Sequence, residues 1–121
     1  MNYIDFKAGN KTYKLRLTTK HTVLLERQIG CNPIHIFGTD TSKPQVPTIT
    51  AMVAILHASL QQYNHGISLD DAYDIFEDYL IDGNTITDFV PVIVEIYQNA
   101  GIMPKPKDKE KMVLEEPVKN V

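Results

Sequence analysis

A chain of 121 residues is long enough to bury one hydrophobic core and too short for two independent ones. Its hydrophobic share of 43% and charged share of 22% exclude wholesale disorder and fibrous repeats. The formal charge is only -3 and the basic residues are scattered, so nucleic acid is not expected as a partner.

The single cysteine, Cys31, has no intramolecular partner for a disulfide, which fits a reducing compartment. Asp5, Lys7 and Lys11 interrupt the stretch where a signal peptide would need unbroken apolar sequence. Residues 44 to 69 lack Asp, Glu, Lys and Arg, but Pro47, Ser59, Gln61, Gln62, Asn64 and two histidines make them too polar to span a bilayer. These features predict an intracellular protein with no membrane partner.

The N-terminus alternates. Tyr13, Leu15 and Leu17 point one way while Lys14 and Arg16 point the other, the period of two of a half-buried strand. With Tyr3 to Lys7 before it and Gly9-Asn10 between, the pattern predicts a β-hairpin. Thr18 or Thr19 then caps a short helix that Gly30 ends. Residues 33 to 37 read as a single apolar turn bounded by Pro33 and Gly38, followed by a polar loop to Pro47.

A second helix, from about Thr50 to Tyr63, carries Met52, Val53, Ile55, Leu56 and Leu60 without a charge and is expected at the centre of the fold. Ser68 and Asp71 form a capping box opening a third helix, with Leu69, Ala72, Tyr73, Phe76 and Leu80 on its apolar side. Thr87 is the expected cap of a fourth helix, with Pro91 near its first turn and Gly101 as its stop; Phe89 to Tyr97 make it apolar on most sides. The predicted fold is therefore α+β and predominantly α: one domain over residues 1 to 101, with a hairpin on about four helices. Residues 102 to 121, rich in Lys, acidic residues and proline, are expected to form a flexible charged tail.

No catalytic or cofactor-binding constellation is legible. The histidines His21, His35, His57 and His65 show no i, i+4 pair for zinc; His57 reads as a hydrogen-bonded core residue and His65 as a helix cap. Cys31 lacks a reactive-cysteine signature and reads as a small buried thiol. The six glycines are too widely spaced for a phosphate loop, and the residues from Asp82 fail as a calcium loop because Ile93 stands at the twelfth position. One cluster remains: Asp70, Asp74, Glu77 and Asp78 gather on one side of the third helix. Regular charges opposite an apolar stripe are commonly a solvated face, and the functional reading is docking of a basic partner segment.

Two stretches carry a resemblance: residues 14 to 37, with Leu25-Glu26, Gly30, Asn32-Pro33 and Ile36-Phe37 in that order, and residues 55 to 101, with LHASLQQYNHGIS at the helix end. They resemble the tail assembly chaperones of long-tailed bacteriophages and prophages, in the non-contractile branch found in Gram-positive hosts. The resemblance implies a non-enzymatic protein of the host cytoplasm that binds the tape measure protein and is absent from the finished virion. It also implies a longer form, made by ribosomal frameshift, that recruits tail tube subunits. A different reading of the same residues is a small regulator or structural connector acting as a homo-oligomer; a minor enzyme using Cys31 is a third.

Overall fold

The computed structural model describes residues 2–40 and 42–105. The elements run β1 (Ile4–Ala8), β2 (Lys11–Leu15), α1 (Thr19–Ile29), a 3-10 turn (Pro33–Phe37), α2 (Ile49–Leu60), α3 (Leu69–Ile81) and α4 (Ile86–Ala100). This is the expected α+β architecture, mostly helical. The tail expected after Gly101 lies outside the described residues from position 106 onward.

The hairpin is antiparallel, pairing Ile4 with Leu15 and Phe6 with Tyr13. Gly9 alone takes a positive φ, 63°, in its two-residue turn, the pattern of a II′ turn whose twist matches the strands. Alternation turns Phe6, Ala8 and Leu15 inward and leaves Asp5, Lys7 and Lys14 in water. The inner face packs on α3 and α4 through an aromatic cluster. Phe6 lies 4.9 Å from Tyr79 between ring centroids, and Phe76 meets Phe89 edge-on at 5.1 Å and 87°.

Helix α2 is the centre. Every residue from Ala51 to Leu60 except His57 is buried, as a helix without a full charge must be. It packs against α1, α3, α4 and β2, and its Ser59 carbonyl accepts a 2.8 Å hydrogen bond from the Arg16 N–H, fixing the exit of the hairpin. Ser59 also carries a buried hydroxyl with no hydrogen-bond partner among the described residues.

Several boundaries differ from expectation. Helix α2 starts after Thr48, whose hydroxyl caps Ala51, and ends at Leu60 instead of Tyr63. Residues 61 to 66 form turns instead, so His65 is an exposed loop residue and not a helix cap. Helix α4 is capped by Thr85, not Thr87, because only Thr85 has an acidic residue, Asp88, three positions on to complete a capping box. Pro91 therefore stands at the sixth helical position, where its missing N–H leaves the Thr87 carbonyl without the usual i+4 donor. Both residues face water.

The apolar stripe of α3 is rotated from the expected one. Ala72, Ile75, Phe76 and Tyr79 are buried, whereas Leu69 and Tyr73 are exposed. Cys31 is exposed, not buried. His57 is half-buried, with Nε2 3.0 Å from the Ile67 carbonyl, as expected of a hydrogen-bonded core histidine. The helix ends at Gly30 and Gly101 are as expected, both left-handed.

The chain does not leave the core at Gly101. The N–H groups of Gly101 and Ile102 bond the Gln98 and Tyr97 carbonyls, a Schellman arrangement that turns the backbone over the helix end. Ile102 and Met103 pack against the core in consequence. No helix among the described residues is long and apolar enough to cross a membrane.

Candidate functional site

The four acidic residues singled out on α3 do not form one platform. Asp74 and Asp78 line a groove of about 470 Å³ between α3, the hairpin and the turn after α2, together with Lys11, Tyr13, His65 and Asp71. Asp70 and Glu77 do not line it. On the outer face the carboxylates are interrupted by apolar side chains: Ile81 is 72% exposed and Tyr73 41%.

Part of this acidity has a structural task. The Asp71 carboxylate accepts the Ser68 N–H and the Asp71 N–H donates to the Ser68 hydroxyl, closing the capping box at the positive end of the helix dipole. Asp82, at the other end, accepts the Gly9 N–H at 2.8 Å and ties the hairpin tip to α3. Asp78 sits directly beneath that tip; a Cβ on Gly9 would lie 3.4 Å from its carboxylate. Burial and the Asp78 charge, in that order, raise the Tyr13 phenol above its ordinary pKa. Of the quartet, only Asp74 and Asp78 line the groove that the Tyr13 phenol and the capping Asp71 also line, where an entering basic group would meet them.

A second depression was missed in the sequence. Between α4, the 3-10 turn and the following loop lies an open groove of about 350 Å³ with an apolar lining of Ile34, Phe37, Pro44, Val90, Val94 and Met103; Gly38 and Asp40 complete its wall. Each wall has a local cause. Asn32 caps the 3-10 turn by accepting the Ile34 N–H, and Pro33 starts it with a φ already suited to a helix. The Gln45 N–H donates to the Phe37 carbonyl at 2.7 Å, folding the loop back so that Pro44 closes one side. Met103 arrives through the Schellman turn.

The helix α4 wall is rigidly seated. The buried Tyr97 phenol donates to the Pro33 carbonyl at 2.9 Å, and the Phe37 ring meets Tyr97 edge-on at 6.3 Å. At the rim, hydrogen bonds from the Ser42 hydroxyl and N–H to Asp40 hold its carboxyl below the usual carboxylate range. The signal was present in the sequence as the excess of apolar residues around α4, more than one buried stripe requires. Val90, Val92 and Val94 are in fact only half-buried.

No group of three or more His, Cys, Asp or Glu suited to a metal occurs among the described residues. Cys31 is exposed and lines only a small depression with Ile36 and Thr48. What the two grooves can do is hold a chain: an apolar segment in one, a basic side chain in the other.

No curated protein and no solved structure matches the chain. A family model matches residues 4–118, nearly the whole length, and the chain belongs to that family, described as Family of unknown function (DUF6096).

Proposed function

We propose that this protein is a non-enzymatic tail assembly chaperone that binds the phage tape measure protein in the host cytoplasm and is left out of the finished virion. The observation that carries this reading is the solvent-open apolar groove on α4. An aggregation-prone client offers apolar segments, and a preformed groove covers such a segment without ordering a loop first. The Asp74 and Asp78 groove adds attraction for basic residues flanking those segments. A longer frameshifted form of the chain would bring tail tube subunits to the same client.

Co-expression tests it. The tape measure protein should stay in solution and copurify with this chain, and Val94→Asp should weaken the complex at least about tenfold, since one buried valine contributes on the order of 1.5 kcal/mol or more. A tape measure protein that precipitates regardless, or binds Val94→Asp as well as the parent, would sink the proposal.

A second reading is favoured by one observation. Helix α1 exposes Val23 and Leu24 beside Lys20 and Arg27, a basic and apolar counterpart to the acidic, Ile81-bearing face of α3. A connector that assembles as a homo-oligomer would use these two faces head to tail. Light scattering over a concentration series, at low and high salt, separates it from a monomeric chaperone.

A further inference from the structure

We infer that the outer strip of α1, made of Lys20, Val23, Leu24 and Arg27, docks on the outer strip of α3, made of Asp70, Tyr73, Glu77 and Ile81, in a second copy of this chain. This rests on the connector reading and deepens it by naming the residues that meet; the contact does not depend on a client.

Helical spacing builds both strips. Lys20, Val23, Leu24 and Arg27 stand at i, i+3, i+4 and i+7, so they share one side of α1, and all four are exposed. Asp70, Tyr73, Glu77 and Ile81 stand at i, i+3, i+7 and i+11 and share the side of α3 turned away from the buried Ile75 and Tyr79; all four are again exposed. Helices α1 and α3 both pack on α2 and make no extended contact with each other, so neither strip covers the other within one copy.

Charge selects the partner. Among residues 1–104 every Lys and Arg except Lys43 falls at or before Arg27, whereas residues 69–101 carry Asp and Glu and no basic residue. One part of the chain thus supplies the cations that the other lacks. The spacing matches as well. Lys20 and Arg27 are seven residues apart, as are Asp70 and Glu77, so each pair spans about 10.5 Å along its helix. Both ion pairs can therefore form at once, with Val23 and Leu24 set against Tyr73 between them. Glu26, the one acidic residue of α1, stands about 100° round the helix from Arg27, on the flank of the strip. Asp74 flanks the strip on α3 and adds to its negative charge.

None of the α3 strip lines the acidic groove, and no residue of either strip lines the apolar groove on α4. The contact thus gives Asp70 and Glu77 a task distinct from that of Asp74 and Asp78. Four residues a side make a small contact, of the transient class under roughly 1,200 Å².

Sedimentation velocity on the full-length chain tests it, in low salt and from about 10 μM to about 1 mM, where weak contacts assemble. The parent's weight-average sedimentation coefficient should rise with concentration. Lys20→Glu with Arg27→Glu makes both strips acidic, and Asp70→Lys with Glu77→Lys makes both basic; each variant should stay at the monomer value. An equimolar mixture should regain association, since each reversed strip then meets an opposite one, and recovery from two separately monomeric variants rules out damage to the fold. Adding Leu24→Ser to the first variant should weaken the mixture at least about threefold, which charge attraction alone would not do. A mixture that stays monomeric would overturn the proposal, as would a Leu24→Ser mixture that associates undiminished. Association of the parent that neither reversal touches would overturn this contact and leave a connector built on another surface; a parent monomeric throughout would overturn both. The tape measure reading is untouched by these outcomes, because no client is present.

Discussion

The Tyr97 phenol and the Pro33 carbonyl, 64 positions apart, are joined by a hydrogen bond of 2.9 Å that couples α4 to the 3-10 turn. Both sides of the bond are buried. Tyr97→Phe keeps the ring and removes the donor, leaving the carbonyl unsatisfied, so unfolding in urea should show a loss of roughly 1–2 kcal/mol. Burial raises the phenol above its ordinary value near 10, so the folded state holds this proton more tightly than the unfolded chain. The associated stability is complete below pH about 10 and is lost as pH climbs toward the raised folded value. Tyr97→Phe should therefore flatten the decline in stability above pH about 10, leaving only the part due to the raised Tyr13 and Tyr79.

Ser59 offers a change in the opposite direction. Its hydroxyl is buried within α2 without a partner, and alanine removes that desolvated group while improving helix propensity. Ser59→Ala should raise stability by about 1 kcal/mol. A loss of stability would mean that the hydroxyl is satisfied by something the fold does not supply from its own atoms.

The hairpin and the helix order were legible because each rests on local chemistry: the alternation from Tyr13 to Leu17, the Ser68 and Asp71 pair, the glycines at 30 and 101. The face of α3 was not. Two overlapping stripes share Ala72 and Phe76, and the choice between Leu69 with Tyr73 and Ile75 with Tyr79 is made by the hairpin, whose Phe6 needs Tyr79. That is a non-local decision. Thr85 and Thr87 were separable in principle, since only one has Asp88 at the third position. Of the acidic quartet, spacing placed all four on one side, but the groove that distinguishes Asp74 and Asp78 is made by Lys11, Tyr13 and His65 from elsewhere in the chain.

That division of the quartet can be measured. On the proposed function, replacing Asp74 and Asp78 by Asn should weaken capture of basic tape measure segments at low salt more than replacing Asp70 by Asn and Glu77 by Gln. High salt should shrink the difference, because the groove is open and its charges are screened. Equal effects from the two pairs, measured by fluorescence anisotropy with a labelled segment, would return α3 to an ordinary solvated face.

The boundary of the core is open to a truncation series. A chain ending at Met103 keeps the Schellman turn and the apolar contacts of Ile102 and Met103, whereas one ending at Gly101 loses both. The shorter chain should be less stable than the longer by about 1–3 kcal/mol. Identical denaturation midpoints would place the end of the cooperative unit at Gly101.

The bond from the Gly9 N–H to Asp82 spans 73 positions, and it dictates when the N-terminal strands can be secured. An isolated two-stranded hairpin is marginal in water, so Phe6, Ala8 and Leu15 have no lasting cover until α3 has left the ribosome. At synthesis rates of roughly 5–20 residues per second that interval is about 4–15 s. During translation the first part of the polypeptide made is thus among the last to be locked, and a nascent chain of this protein exposes its own sticky strand edges for seconds.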